Sequence, residues 1–200
     1  MSLKLSVLDQ SVAMSGRGQD ESIRQTVALA IEAERLGYAR FWVSEHHAHP
    51  SIVGTAPEIL MAAIATQTQK IRIGSAGVML PHYAALKVAE QFRVLDALAP
   101  GRIDLGVGRA PGSDGKTAQL LNPDRYASEN FPQQVMNFKR GSKVSHCQQG
   151  ILVMVCLHTL SRLHRQMFGC WAALTMGLNH FSPCKSKSSS KRRRNATSSF

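Results

Sequence analysis

"AERLGYARFWVSEHH", residues 33–47, packs four signals into fifteen positions. A helical run ends at Leu36, a glycine follows at 37, and "RFWVS" (40–44) is dense in aromatic and β-branched residues. A carboxylate and two imidazoles then close the stretch at Glu45, His46 and His47. Helix, glycine stop, strand and polar rim in that order form the junction of a βα unit.

The same rhythm runs outward in both directions. "LKLSVLD" (3–9) reads as a buried first strand. "SIRQTVALAIEAERLG" (22–37) reads as a helix, with Ile23, Val27, Ala30, Ile31 and Leu36 at helical spacing, Ser22 as N-cap and Gly37 as the C′ stop. "APEILMAAIATQT" (56–68) is the second helix, with Pro57 in its first turn. "IRIGSAGVML" (71–80) is the third strand, "AALKVAEQFRVLDALA" (84–99) the third helix, and "PG" (100–101) its end. "RIDLGVG" (102–108) is the fourth strand, and "YASENFPQQV" (126–135) an amphipathic helix starting at Ser128 or Asn130. Strands separated by single helices make right-handed crossovers and a parallel sheet. A closed barrel of eight such units needs about 250 residues. The fold class expected is α/β, the N-terminal half of a (β/α)8 TIM barrel.

Charge divides the chain. The 200 residues carry 24 Lys and Arg against 13 Asp and Glu, a formal +11. Every acidic residue lies at or before Glu129, and up to Asn137 there are 13 basic and 13 acidic residues. Residues 138–200 carry 11 basic residues, no acid, and all four cysteines: Cys147, Cys156, Cys170 and Cys184. At ordinary composition roughly eight acids would fall in such a stretch. Two segments are expected: a partial barrel domain at 1–137 and a basic, acid-free tail at 138–200, irregular and disordered over "KSKSSSKRRRNATSSF" (185–200). A reading-frame shift near residues 137–139 accounts for the change; a divergent C-terminal domain is the alternative. The cysteine spacing is not that of a zinc site. "KRRR" (191–194) leaves open a non-catalytic protein with a nucleic-acid-binding tail, although the neutral balance before it argues against a nucleic-acid partner. "ILVMVCL" (151–157) is too short to span a bilayer. With no secretion signal at the start, the expectation is a cytoplasmic protein without a membrane partner.

Glu45, His46, His47 and His49 stand at the end of the second strand, on the rim where barrels of this kind build active sites. From the residues alone a metal site, a catalytic site and a polar loop all remain. Neighbours on an extended chain face opposite ways, so Glu45 and His47 share a face that His46 does not. There is no HExxH spacing and no nearby cysteine, so no metal is expected. "GSAGVMLP" (74–81) puts small residues at the end of a strand. "GVGRAPGSD" (106–114) holds a GxG, Gly106 and Gly108, without a third glycine at dinucleotide spacing, followed by Arg109.

Four blocks in order resemble the bacterial luciferase-like flavin monooxygenases: "LSVLDQS", "AERLGYARFWVSEHH", "IRIGSAGVMLPHY" and "LDALAPGRIDLGVGRAPGSD". The resemblance covers residues 1–115. It implies a flavin-dependent monooxygenase using reduced FMN and O2 on a small-molecule substrate, with the flavin reduced by a separate NAD(P)H-dependent reductase. A related branch uses the deazaflavin F420. By motif match, His46 is the catalytic histidine, with Glu45 and His47 supporting it. A non-prolyl cis peptide at Ala76–Gly77 lies under the flavin, and Gly108 and Arg109 contact it. No counterpart of the later barrel strands is visible in the sequence. Half a closed barrel leaves edges open at the first and fourth strands, which implies weak flavin binding and self-association into a homo-oligomer.

Overall fold

A computed structural model describes residues 4–124, 126–144 and 152–156. Disorder over 185–200, and Cys147, Cys170 and Cys184, lie outside the described residues. The strands are β1 (Ser6–Asp9), β2 (Arg40–Val43), β3 (Arg72–Ser75), β4 (Val78–Met79), β5 (Ile103–Gly108) and β6 (Leu152–Cys156). The helices are α1 (Gln19–Arg35), α2 (Pro57–Gln67), α3 (Ala85–Leu98), α4 (Gly115–Leu121) and α5 (Phe131–Val144), with a short 3₁₀ turn at Leu80–His82. All strand pairings are parallel, in the order β1-β2-β3-β5-β4 with β6 on β5. This is the open barrel wall that the alternation predicts.

Register separates the two faces. Phe41 pairs with Ile73, and Ile73 with Ile103. These residues, with Val43, Leu105 and Val107, join one buried cluster with Met61 and Ile64 of α2 and Val88 and Phe92 of α3. The opposite face carries Arg40 beside Arg72, Trp42 beside Gly74, and Gly74 beside Asp104. A side chain at 74 would run into the Trp42 ring, so glycine there makes room for the indole. At the N-terminal end of this face, Asp104 is fully buried. It accepts from Arg40 Nε at 3.0 Å, from Arg72 Nε at 3.1 Å, and from Arg72 Nη2. Two guanidinium groups compensate the one buried acid.

Local chemistry accounts for the helix ends. Gly37 has φ of 79°, and the N–H groups of Gly37 and Tyr38 bond to the carbonyls of Glu34 and Ala33. That is a Schellman stop, as the glycine predicts. Glu34 also accepts from the backbone N–H groups of Gln69, Lys70 and Ile71 at 2.5–3.1 Å, pinning the turn that leads into β3. Arg102 caps α2, donating to the carbonyls of Ala65 and Thr68 at 3.1 and 3.0 Å.

Several expectations need correction. Ser22 is not a cap: α1 starts at Gln19 after Gly18, and Ser22 is buried within the helix. The face of α1 on the sheet is made of small residues, Ser22, Thr26, Ala30 and Ala33, while Ile31 and Leu36 are exposed. Small side chains let the helix sit close, and Thr26 bonds Asp9 at 2.5 Å. β1 is not buried, because among the described residues it pairs with β2 alone; Leu5 and Leu8 are 53% and 39% exposed. The third strand is interrupted after Ser75 and resumes as β4. The last predicted helix starts later, at Phe131, and runs to Val144 with Phe131 and Phe138 in the core. β6 falls within the span read as lying outside the barrel. It pairs in register with β5 from Asp104↔Leu152 to Gly108↔Cys156, so the edge of β5 is covered and that of β1 is open among the described residues. "LVMVC" is a continuous apolar, β-branched run, the composition of a parallel strand flanked on both sides. Among the described residues no helix is long and apolar enough to cross a membrane.

The Glu34 carboxyl loses solvation on burial, but the three backbone N–H groups outweigh this and hold it below the usual carboxylate range. Glu34→Gln is expected to destabilise the chain by about 1 kcal/mol in urea unfolding near neutral pH. The difference is expected to fade as the pH falls below about 4, because a depressed carboxyl contributes stability only above its unfolded pKa.

Candidate active site

Three rim segments converge at the C-terminal ends of the strands: 44–54 after β2, 76–83 around β4, and 109–115 after β5. Glu45 joins them. It is fully buried. Its Oε2 accepts from the Met79 backbone N–H at 2.8 Å. Its Oε1 accepts from Tyr83 Oη at 2.7 Å and from His47 Nε2 at 2.8 Å. The backbone completes the junction: His47 N–H donates to the Gly112 carbonyl at 2.9 Å and His46 N–H to the Gly54 carbonyl at 3.0 Å. His82 Nε2 donates to the Pro111 carbonyl at 2.7 Å. The extended chain after β2 thus does what alternation predicts, with Glu45 and His47 on one side and His46 on the other.

Burial and the Glu45 carboxylate beside it push the Tyr83 phenol well above its ordinary range, so the hydroxyl stays a donor. Glu58 is also pushed up, by burial first and then by Glu45. His46 is pushed below the ordinary imidazole value, by burial first and then by His49, against the opposing pull of Glu45. Its Nδ1 is buried and has no hydrogen-bond partner among the described residues, and the same holds for Ser44 Oγ two positions earlier. His46 and His49 rings meet edge to face at 6.1 Å, and His47 and His82 at 5.7 Å. Among the described residues no group of three or more His, Cys, Asp or Glu is arranged to hold a metal.

The remaining sequence candidates fall as follows. The Ala76–Gly77 peptide is cis. A side chain at 77 would come within 2.8 Å of the Gly106 carbonyl oxygen, so the two strands touch through backbone here. Gly108 lies under Met79, whose sulfur would sit 2.8 Å from a side chain at 108. Arg109 is exposed, and its Nε donates to the Ser128 carbonyl at 3.1 Å; no hydrogen bond ties it to the Glu45 cluster. Sequence reasoning missed Tyr83 and Ser44. Tyr83 follows two rim residues after the third strand, and that position was the available signal.

A family description, luciferase-like monooxygenase, matches residues 1–124. N-acetyl-S-alkylcysteine monooxygenase of Bacillus subtilis (strain 168) is 50% identical over 134 residues, covering 64% of this chain and 40% of that protein. The crystal structure of apo-MsnO8 superposes with a TM-score of 0.71 at 38% identity, covering 77% of this chain and 49% of that one. The oxygenating constituent of 3,6-diketocamphane monooxygenase from Pseudomonas putida, in complex with FMN, shares the fold at 23% identity and a TM-score of 0.62, covering 72% of this chain and 39% of that one. The chain spans about two-fifths of the length of the curated relative it matches.

Glu45→Ala strands three buried donors, and is expected to cost about 3–5 kcal/mol, measured by urea unfolding. His46 must gain a charge that its surroundings disfavour. Stability is therefore expected to fall as the pH drops below about 6.5, and His46→Gln to flatten that slope. A His46 imidazole midpoint at or above 6.5 by NMR titration would contradict this.

Proposed function

The chain belongs to the luciferase-like monooxygenase family, and from that premise we propose that its C-terminal rim is the flavin-facing part of an oxygenase site using reduced FMN and O2 on a small organic molecule. The observation that carries the reading is His46: an imidazole at the end of β2, held toward neutrality, with a buried Nδ1 that nothing among the described residues satisfies. Buried polar atoms are normally paired. Two orphans on one face, Ser44 Oγ and His46 Nδ1, suit a planar cofactor or substrate with hydrogen-bonding edges.

Other residues fit the same group. Arg109 engages one of its five donors with Ser128, leaving the rest of the guanidinium for a phosphate or the polar edge of a ring. Gly77 against the Gly106 backbone and Gly108 under Met79 hold the segments around β4 and β5 in close contact at the end of the wall where the ring would bind. Reduced FMN, when bound, supplies the electrons that activate O2 for insertion into the substrate. His46 accepts or returns a proton at Nδ1, a role suited to an imidazole near neutrality. Glu45 and His47 support it from the other side of the strand end. A separate NAD(P)H-dependent reductase supplies the reduced flavin, and the exposed strand edge favours self-association.

The full chain titrated with FMN, followed by flavin fluorescence quenching, is expected to bind saturably but more weakly than about 10 µM. Arg109→Ala is expected to weaken that binding further. F420 titrated in parallel decides the cofactor: saturation with F420 and none with FMN assigns the chain to the deazaflavin branch. Absence of binding to both removes the proposal.

A further inference from the structure

His47 is one step removed from the chemistry proposed for His46, yet its geometry is the better defined of the two. Its Nε2 lies 2.8 Å from Glu45 Oε1. A carboxylate only accepts hydrogen bonds. Both Glu45 oxygens also accept from other donors: the Met79 backbone N–H at 2.8 Å and the Tyr83 hydroxyl at 2.7 Å. His47 must therefore carry its proton on Nε2. A neutral imidazole with Nε2–H has a bare Nδ1, and among the described residues no hydrogen bond is made to that atom. The carboxylate–histidine pairing of metal and hydrolase sites fixes a tautomer by the same logic.

We propose that Glu45, braced by Tyr83 and the Met79 N–H, is a positioning residue that fixes the tautomer of His47 with Nε2 protonated, so that the rim carries a second bare imidazole nitrogen, His47 Nδ1, on the opposite side of the strand end from His46. Tyr83 is the brace. Its hydroxyl shares Oε1 with His47 and stops the carboxylate from turning away. The charged and titratable groups around His47 are Glu45, Tyr83, His82 at 5.7 Å, His46 and Glu58. None of the others is hydrogen-bonded to the ring, so Glu45 alone sets which nitrogen holds the proton. The catalytic meaning of a second acceptor rests on the oxygenase reading; the tautomer itself does not.

Glu45→Gln turns this into a sharp test. The amide keeps the shape of the carboxyl but has one accepting oxygen and one donating NH2. The Met79 N–H is backbone and cannot rotate, so it claims the oxygen. The NH2 then faces His47 Nε2, which must accept, and the proton moves to Nδ1. The Tyr83 hydroxyl rotates to accept the second amide N–H, so the Met79 N–H, the amide and His47 Nε2 stay paired and the variant keeps its fold.

The measurement is ¹⁵N NMR of the imidazole nitrogens of the full chain at about pH 8.5, where an ordinary histidine is neutral. The His47 signals are identified by their loss in His47→Asn. Wild type is expected to show protonated Nε2 and bare Nδ1, and Glu45→Gln the reverse. A wild-type ring with the proton on Nδ1, or a Glu45→Gln ring unchanged from wild type, overturns the proposal. Should Glu45→Gln not fold, Tyr83→Phe carries the test: the tautomer is retained, but exchange of the Nε2 proton with water is expected to speed up at least about tenfold, one factor of ten being 1.4 kcal/mol of lost protection. Exchange unchanged in Tyr83→Phe removes the brace. These readouts need no flavin, so they stand or fall separately from FMN binding.

Discussion

A wholly buried carboxylate has to find donors, and the C-terminal rim is organised around that requirement. Glu45 follows β2, Met79 and Tyr83 belong to the segment after β3, and His47 links through its backbone to Gly112 after β5. Three loops whose bonded residues lie 34 to 65 positions apart in sequence are thereby held to a single geometry. An unpaired buried charge costs several kcal/mol, so any conformation that breaks the junction is penalised severely.

The opposite end of the wall obeys the same rule with charged donors. Asp104 is buried against two guanidinium groups, Arg40 and Arg72. Between the two polar ends, the helix-facing side of β2 to β5 joins a single apolar cluster, with Val7 of β1 packed against it. The sheet is thus polar at its two ends and dry behind, and this division leaves the rim free to vary while the wall stays fixed.

Much of the architecture was legible because it depends on neighbours in sequence. Gly37 stops α1 for a reason local to the glycine, and period and composition alone place β2, α2, α3 and β5 within a residue or two of where they lie. The segments that were misread depend on contacts from elsewhere. Ile31 and Leu36 have helical spacing, but the fully buried positions of α1 are small residues, with Ile23 and Val27 packed beside them. α4 was missed: its seven residues begin at the side-chain cap of Asp114 and none is buried, so no apolar period marks it. β6 looked like part of a compositionally foreign stretch, and its pairing with β5 cannot be seen without β5 beside it. In the site, Glu45, His46 and His47 stood out by chemistry. Tyr83 did not, since a tyrosine after a strand is ordinary until a carboxylate 38 positions earlier turns toward it.

Trp42 and Gly74 fill one space between them, because the indole lies where a side chain at 74 would begin. The two positions therefore cannot drift separately over evolutionary time. A lineage that acquires alanine or anything larger at 74 has to shed the indole at 42 in the same step or shortly after, and one that keeps the tryptophan is confined to glycine. Their covariation across relatives is set by volume alone, and it would persist in descendants that had given up the chemistry at the rim.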